Sequence, residues 1–447
     1  MKKKKTFIII FLVVLTFITG YSINYLNVKD NKLHSSWVDP TEAPFNARGD
    51  GQTDDTKAIQ SAINYAHTHG IDTVKFPSGK FLLLHDIDLK EGVSLVGNAP
   101  QSDSTNRGEK KVRLHGTVLV SRGASIEVHQ STVVDGFTIY YDQQKYSLSS
   151  DPSTPDGIEN FVEYEPTFKI KTHRGSFTIQ NIVYLGGSTI LQALGYPNQF
   201  DKMRLKNIVG CPTQVAFDIA ETWDISFVDT ILINPSSLMN FVDNSIDPGG
   251  KRLSNKIAKN LVVFKLGKVD DMFFDNIFAY GVRDMFYLYK GEVAPNRPEQ
   301  LATASFTANN ISADCVNTVV HIESPGNLFG IKINNGFYTA LQQKPVVNGK
   351  LSNRKPAIIR MSGNEVSNTK VLLSNIVTFG KTSSNIYDTN SPQYLFQFEN
   401  AGDNNTILVS NSTLRDYGEL SFGESKTNKV SFSNVQTKNG SIISTQP

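Results

Sequence analysis

The sequence predicts an all-β chain wound as a single-stranded, right-handed parallel β-helix with a capping α-helix near its N-terminus. Three observations carry this. A short alternating pattern ending in Asn recurs down the chain, its copies fall at a coil-like spacing, and long amphipathic helical patterns are scarce after residue 70. The unit reads apolar, any, apolar, any, Asn, and usually an apolar residue again. It runs from Phe177 to Asn181, Met203 to Asn207, Met272 to Asn276, Phe306 to Asn310, Ile331 to Asn335, Val371 to Asn375, Ile407 to Asn411 and Val430 to Asn434. Weaker copies end at Asp135 and Asp229. Alternation of period two suits strands with one face inward. Asn at the bend suits a left-handed residue that hydrogen-bonds along a stack. Successive copies stand 22 to 47 residues apart, a solenoid period in the low twenties lengthened by insertions. The 47-residue step reads as two coils, with an intermediate rung near Asn255. A leucine-rich repeat needs a Leu/Asn spacing that is absent, and a sandwich does not hold Asn at one phase. The right hand follows from the usual sense of parallel crossover connections.

From the N-terminus, residues 1–25 read as a signal peptide or N-terminal anchor. Lys2 to Lys5 form a positive region, and Phe7 to Thr19 is an apolar run without charge. Cleavage near Gly20 or Ser22 is expected. An uncleaved segment extended to Leu26 would just span a bilayer. Either way the body is expected outside a bacterial cell, secreted or anchored at its surface. Residues 26–43 read as a linker, 44–100 as the cap helix and first rungs, and 101–440 as the β-helix body. The chain carries 44 Lys+Arg and 42 Asp+Glu, and four of those lysines belong to the leader. A basic face that grips nucleic acid is therefore excluded. With Cys211 and Cys315 alone, a disulfide scaffold and a zinc ribbon are excluded too. About four rungs separate these two, roughly 19 Å at 4.8 Å per rung, so both are expected as free thiols.

The stretch from Gly49 to Ile63, followed by Val74 to Leu83 and Leu95 to Asn98, resembles the opening of the rhamnogalacturonase/epimerase-like, pectate-lyase-type domain of the pectin-lyase-fold superfamily. The rung pattern carries that resemblance to about residue 440. Thr53 or Asp54 suits the N-cap of a helix whose apolar face is Ala58, Ile59, Ala62, Ile63 and Ala66. The resemblance implies that this helix covers the open end of the coil. Asp50, Asp54 and Asp55 then read as structural rather than catalytic.

The strand about ten residues after each bend is phased by inward apolar pairs: Phe168/Ile170, Leu191/Ala193, Phe217/Ile219, Met239/Phe241, Phe264/Leu266, Phe286/Leu288, Val320/Ile322, Ile359/Met361 and Phe396/Phe398. The residues they bracket form an outward polar ladder of Lys169, Gln192, Asp218, Asn240, Lys265, Tyr287, His321, Arg360 and Gln397. Tyr289 and Glu323 follow two residues further along their strands, and Arg283 and Asp284 stand at a strand mouth. Stretches 291–302, 340–356 and 381–393 are candidate groove walls.

An amine, a phenol, an imidazole and a guanidinium at the centre suit β-elimination on an anionic polysaccharide. Arg360 or Lys265 neutralises the uronate carboxylate, and Tyr287, His321 or Lys265 takes the adjacent proton. Lys169, Gln192, Asp218, Asn240, Arg283, Asp284, Tyr289, Glu323 and Gln397 read as substrate-binding. The resemblance adds that β-helix lyases use Lys and Arg in this way, some with calcium. Ca²⁺ is one option, at Asp243 and Asp247 or at Asp270 and Asp271, although the latter pair reads as a turn. A glycoside hydrolase requires two carboxylates across the scissile bond, for which Asp218 with Asp243, or Asp284 with Glu323, are the candidates. The paired-acid motifs of polygalacturonases are absent at the matching rungs. Hydrolase or epimerase is the alternative within the class, and a non-catalytic glycan-binding β-helix the alternative outside it. A homotrimer is compatible with such solenoids.

Overall fold

The computed structural model describes residues 36–98, 114–151, 153–195, 197–198, 200–222, 225–291, 304–324, 330–340, 346–347, 350–352, 354–379, 394–415 and 417–445. The leader at 1–25, the wall stretch 381–393, nearly all of 291–302 and part of 340–356 lie outside the described residues. Among the described residues, no helix is long and apolar enough to cross a membrane.

Short strands stack in parallel register as a β-helix. One face carries the Asn-ending strands: Ser176–Leu185, Lys202–Cys211, Ser226–Ile233, the second half of Val262–Tyr280, Ala304–Val316, Ile331–Ala340, Lys370–Phe379, Thr406–Ser410 and Lys429–Ser433. A second face carries Ile87–Leu89, Ile126–Val128, Phe168–Ile170, Thr189–Ala193, Val215–Glu221, the first half of Val262–Tyr280, Asp284–Leu288, Thr318–Ile322, Ala357–Ser362, Tyr394–Glu399 and Glu419–Phe422.

The bend residues behave as the pattern requires. Asn181, Asn207, Asn276, Asn310, Asn335, Asn375, Asn411 and Asn434 all have φ between 46° and 59°, the left-handed region that Asn tolerates best after Gly. Their amides form a ladder along the stack. Asn207 Nδ2 donates to Asn181 Oδ1 at 2.9 Å, Asn335 to Asn310 at 2.6 Å and Asn434 to Asn411 at 2.9 Å. At the two weaker copies the left-handed residue is one position later than the pattern suggests, at Gly136 and Thr230. Asp135 and Asp229 instead accept the amides of Asn181 and Asn276.

The 47-residue step is one coil, not two. Asp229 pairs directly with Asp275. The residues between leave the stack as a 3₁₀ segment, Pro235–Phe241, and a helix, Lys251–Asn260, which holds Asn255. A charged, amphipathic insertion has no two-residue alternation with which to join a sheet. Removing that rung brings Cys211 and Cys315 to three strand steps apart rather than four. Both are free and buried. Asp270 and Asp271 also form no turn. They lie within Val262–Tyr280, at a break in register between Val269 and Met272 where the chain passes from the second face to the first.

Near the N-terminus, helix α1 (Thr56–Thr68) buries Thr56, Ile59, Ala62, Ile63 and Ala66 into the core. Ala58 is only partly buried, and Asp55 rather than Thr53 or Asp54 is the N-cap. The Asp55 carboxylate accepts the Arg48 and Gly49 N–H groups, and Asp54 accepts that of Thr56. The core itself is a column of inward side chains. Phe217, Phe264 and Phe286 stack rung on rung with centroids 5.1 and 5.2 Å apart, and Phe306, from the Asn-bearing face, stacks on Phe286 at 4.8 Å. Phe274 meets Phe264 and Phe286 edge-on.

Candidate functional site

Parallel register aligns the outward residues of the second face. Lys169, Gln192, Asp218, Lys265, Tyr287, His321, Arg360 and Gln397 pair in that order, strand to strand. Asn240 does not join them. It lies in the 3₁₀ segment Pro235–Phe241, so Asp218 meets Lys265 directly. The Met239/Phe241 spacing imitates a strand there, but Pro235 and the Asn234 side chain, which accepts the Ser236 N–H, start a helical turn. Upstream the same row continues through Glu127 to Asp88.

Three groups of side chains form along the row. In the first, Lys265 Nζ lies 2.9 Å from Asp218 Oδ2 and 4.8 Å from the centre of the Tyr289 ring. The Tyr289 hydroxyl donates to Asp218 Oδ1 at 3.4 Å. Lys169 stands further along with Glu165 at 3.2 Å.

The second group is a continuous polar chain. Asp284 is wholly buried, with Arg354 Nη2 against Oδ1 and Arg283 Nε 2.9 Å from Oδ2. Burial alone would raise this carboxyl. The guanidiniums of Arg354 and Arg283 hold it well below the usual carboxylate range. Arg354 Nη1 lies 3.0 Å from His321 Nδ1. A guanidinium only donates, so Nδ1 accepts and the imidazole proton sits on Nε2. Nε2 is 2.8 Å from Ser362 Oγ and 3.2 Å from Glu323 Oε1, and Ser362 in turn donates to Glu323 Oε1 at 3.3 Å. The Tyr287 hydroxyl donates to Glu323 Oε2 at 2.6 Å. Burial pushes the Glu323 carboxyl up, but the donors His321, Tyr287 and Ser362 more than reverse this and bring it to about 2. Burial and the negative Glu323 both push the Tyr287 phenol upward, so it stays protonated.

In the third group Arg360 is 3% exposed. Its Nη1 meets Glu399 and its Nη2 donates to Gln397 Oε1 at 2.8 Å and to the Lys355 carbonyl at 2.9 Å.

These placements alter several expectations. Asp284 and Arg360 are buried and occupied by protein partners, so they support the face rather than meet a ligand. The His321 nitrogen on the Glu323 side is a donor, not a base. Asp243 is exposed and accepts the Ser245 N–H and hydroxyl. Asp247 is buried and accepts from Tyr146 and from the Arg252 and Leu253 N–H groups. Glu323, by contrast, keeps 39% of its side chain exposed and Lys265 32%. Arg354 and Ser362 escaped sequence reasoning. Arg354 stands outside any strand and has no phase to read, whereas Ser362 follows Arg360 by the same two-residue step that links His321 to Glu323.

Comparison with known proteins agrees with this architecture. Residues 43–237 match the family described as rhamnogalacturonase A/epimerase, pectate lyase-like. The chain therefore carries a β-helix domain of the pectin-lyase-like superfamily. A 70-residue stretch is 37% identical to alginate lyase 7 of Azotobacter vinelandii, covering 16% of this chain and 8% of that protein. The catalytic unit of a GH87 α-1,3-glucanase from Streptomyces thermodiastaticus superposes with a TM-score of 0.50 at 12% identity, over 92% of this chain and 70% of that one. Gene product 12 of bacteriophage phi29 also gives 0.50, at 14% identity, over 94% and 51%. The fold is one that polysaccharide-active proteins use.

Proposed function

We propose that the protein is an exported polysaccharide lyase that cleaves a uronate-containing glycan by β-elimination. The observation that carries this reading is the alignment, on adjacent rungs, of a part-exposed cation, Lys265, and a protonated phenol, Tyr287, whose partner Glu323 is a part-exposed carboxylate. Lys265 faces the uronate carboxylate and stabilises the charge that develops as the adjacent C–H bond breaks. Glu323 takes that proton, and the electron pair forms the C=C bond. The C–O bond to the leaving sugar breaks, and Tyr287 gives its proton to the departing oxygen. As Tyr287 turns toward that oxygen, Glu323 loses one of its donors and becomes a stronger base. His321, fixed by Arg354, holds Glu323 in place. The stretch shared with a protein named alginate lyase 7 supports the same substrate class.

The test is ultraviolet absorbance of the unsaturated uronate end during incubation with a panel of uronic-acid polymers. A rising signal is expected, lowered roughly 100-fold or more in Tyr287→Phe and Lys265→Ala. New reducing ends without absorbance would mean hydrolysis. Changed sugar stereochemistry without cleavage would mean epimerisation, and binding alone a non-catalytic glycan-binding protein. N-terminal sequencing of the protein recovered from culture medium checks export.

A further inference from the structure

The upstream end of the second face carries a cluster that the elimination chemistry does not use. Asp88 and Glu127 are directly paired on neighbouring parallel strands. His129 follows Glu127 by two residues and so emerges on the same face. One ligand atom from each of the three lies within 4.8 Å of the others. Asp88 Oδ1 is out of contact with water and accepts no hydrogen bond, although His129 Nε2 stands 3.0 Å away, out of line to donate. The other Asp88 oxygen meets Lys90, and Glu127 Oε1 has Lys171 at 3.5 Å.

We propose that Asp88, Glu127 and His129 form a binding site for a divalent transition-metal ion, Zn²⁺ foremost. A cation of this kind takes imidazole nitrogen and carboxylate oxygen together at about 2.0–2.2 Å, which places tetrahedral ligand atoms roughly 3.4 Å apart. His129 Nε2 and Asp88 Oδ1 already stand 3.0 Å apart, and Glu127 needs to approach them by no more than about 1.4 Å. Ca²⁺ prefers six to eight oxygens and has no use for the imidazole. The three side chains are 33 to 37% exposed, so water can fill the remaining positions. Lys90 and Lys171 balance the two carboxylates, and both are exposed enough to swing aside when an ion enters. The site ties the rung of Ile87–Leu89 to that of Ile126–Val128. It lies four strand steps, about 19 Å, from Lys265 along the face, and is separate from the proposed elimination chemistry.

Calorimetric titration of the chelator-treated full chain with ZnCl₂ and with CaCl₂ tests this. One saturable Zn²⁺ per chain is expected, with binding weakened ~10-fold or more in both His129→Ala and Glu127→Gln. His85→Ala, which alters a histidine outside the cluster, should bind as the parent does. Far-UV circular dichroism in chelator verifies that the variants fold, as expected for part-exposed positions. Zn²⁺ binding that survives both substitutions, absence of saturable binding, or tighter binding of Ca²⁺ than of Zn²⁺ would each overturn the proposal.

Discussion

At the scale of single residues, the site is governed by which atoms donate and which accept. Asp284, Arg354, His321, Ser362, Glu323 and Tyr287 form one chain whose polarities follow from the Arg354 guanidinium, which only donates, and the Glu323 carboxylate, which only accepts. Arg354→Ala leaves Asp284 a wholly buried carboxylate with its main partner gone. Thermal or urea unfolding should show a loss of about 3–5 kcal/mol. The double change Arg354→Met with Asp284→Leu should be markedly less destabilising than Arg354→Ala, because no charge is then left buried alone. The acid limb has a definite sign. Glu323 has a folded-state pKa near 2, below the ordinary value of about 4.3. Its contribution is therefore complete above that ordinary value and fades as pH falls toward 2. The gap between the urea midpoints of the parent and Glu323→Gln should be widest at pH 6 and shrink steadily as the pH falls from about 4 toward 2; a gap that stays constant would contradict the assignment. Tyr287 is shifted the other way, so its contribution holds below its ordinary value of about 10 and is lost as pH rises beyond it.

At the scale of elements, the bend is the repeating unit of the fold. Asn at a left-handed bend meets two demands at once: it tolerates the backbone, and its amide bonds to the bend above or below. Asn310 donates to Asn276 Oδ1 and Asp275 Oδ1 and accepts from Asn335. Asn310→Ala should cost about 1–3 kcal/mol from the lost bonds and the left-handed backbone together. Thr230 supplies the informative contrast, a β-branched residue at φ 57° where a left-handed conformation is most strained. Thr230→Asn is expected to raise stability by about 1 kcal/mol. Differential scanning calorimetry of the two variants should show opposite shifts. Gly210 is bound differently: a Cβ there would stand 2.1 Å from the Tyr184 carbonyl oxygen of the neighbouring strand, so no side chain fits.

At the scale of the whole molecule, each strand pairs only with its neighbours along the stack, so stability is close to a sum over coils and their interfaces, tied further where loops reach past a neighbour, as Tyr146 does to Asp247 and Arg354 to Asp284. The phenylalanine column through Phe217, Phe264, Phe286 and Phe306 ties the central coils together. Phe264→Ala removes a fully buried ring from the middle of it and should cost about 3–5 kcal/mol. Hydrogen exchange should be slowest in Val262–Tyr280, Asp284–Leu288 and Thr318–Ile322, and faster toward the terminal coils. Uniform protection from end to end would show that the column does not set the order of opening.

The sequence by itself determined the coil, the phase of its strands and the left-handed bends, because these depend on local alternation and on what one residue's backbone tolerates. It also aligned Lys265, Tyr287, His321 and Arg360, since a residue that points outward in each coil lands above the last once the strands are parallel. It misplaced Asn240 and Asn255, because an insertion of the right length and a chance apolar pair imitate a rung. Only tertiary structure decided which ladder residues face solvent. Arg354 comes from outside any strand and buries Asp284 and His321 beside it, while Glu399 and Gln397 occupy Arg360 from the next coil. Contacts of that kind depend on where a loop lands, and loops carry no periodicity from which their landing can be read.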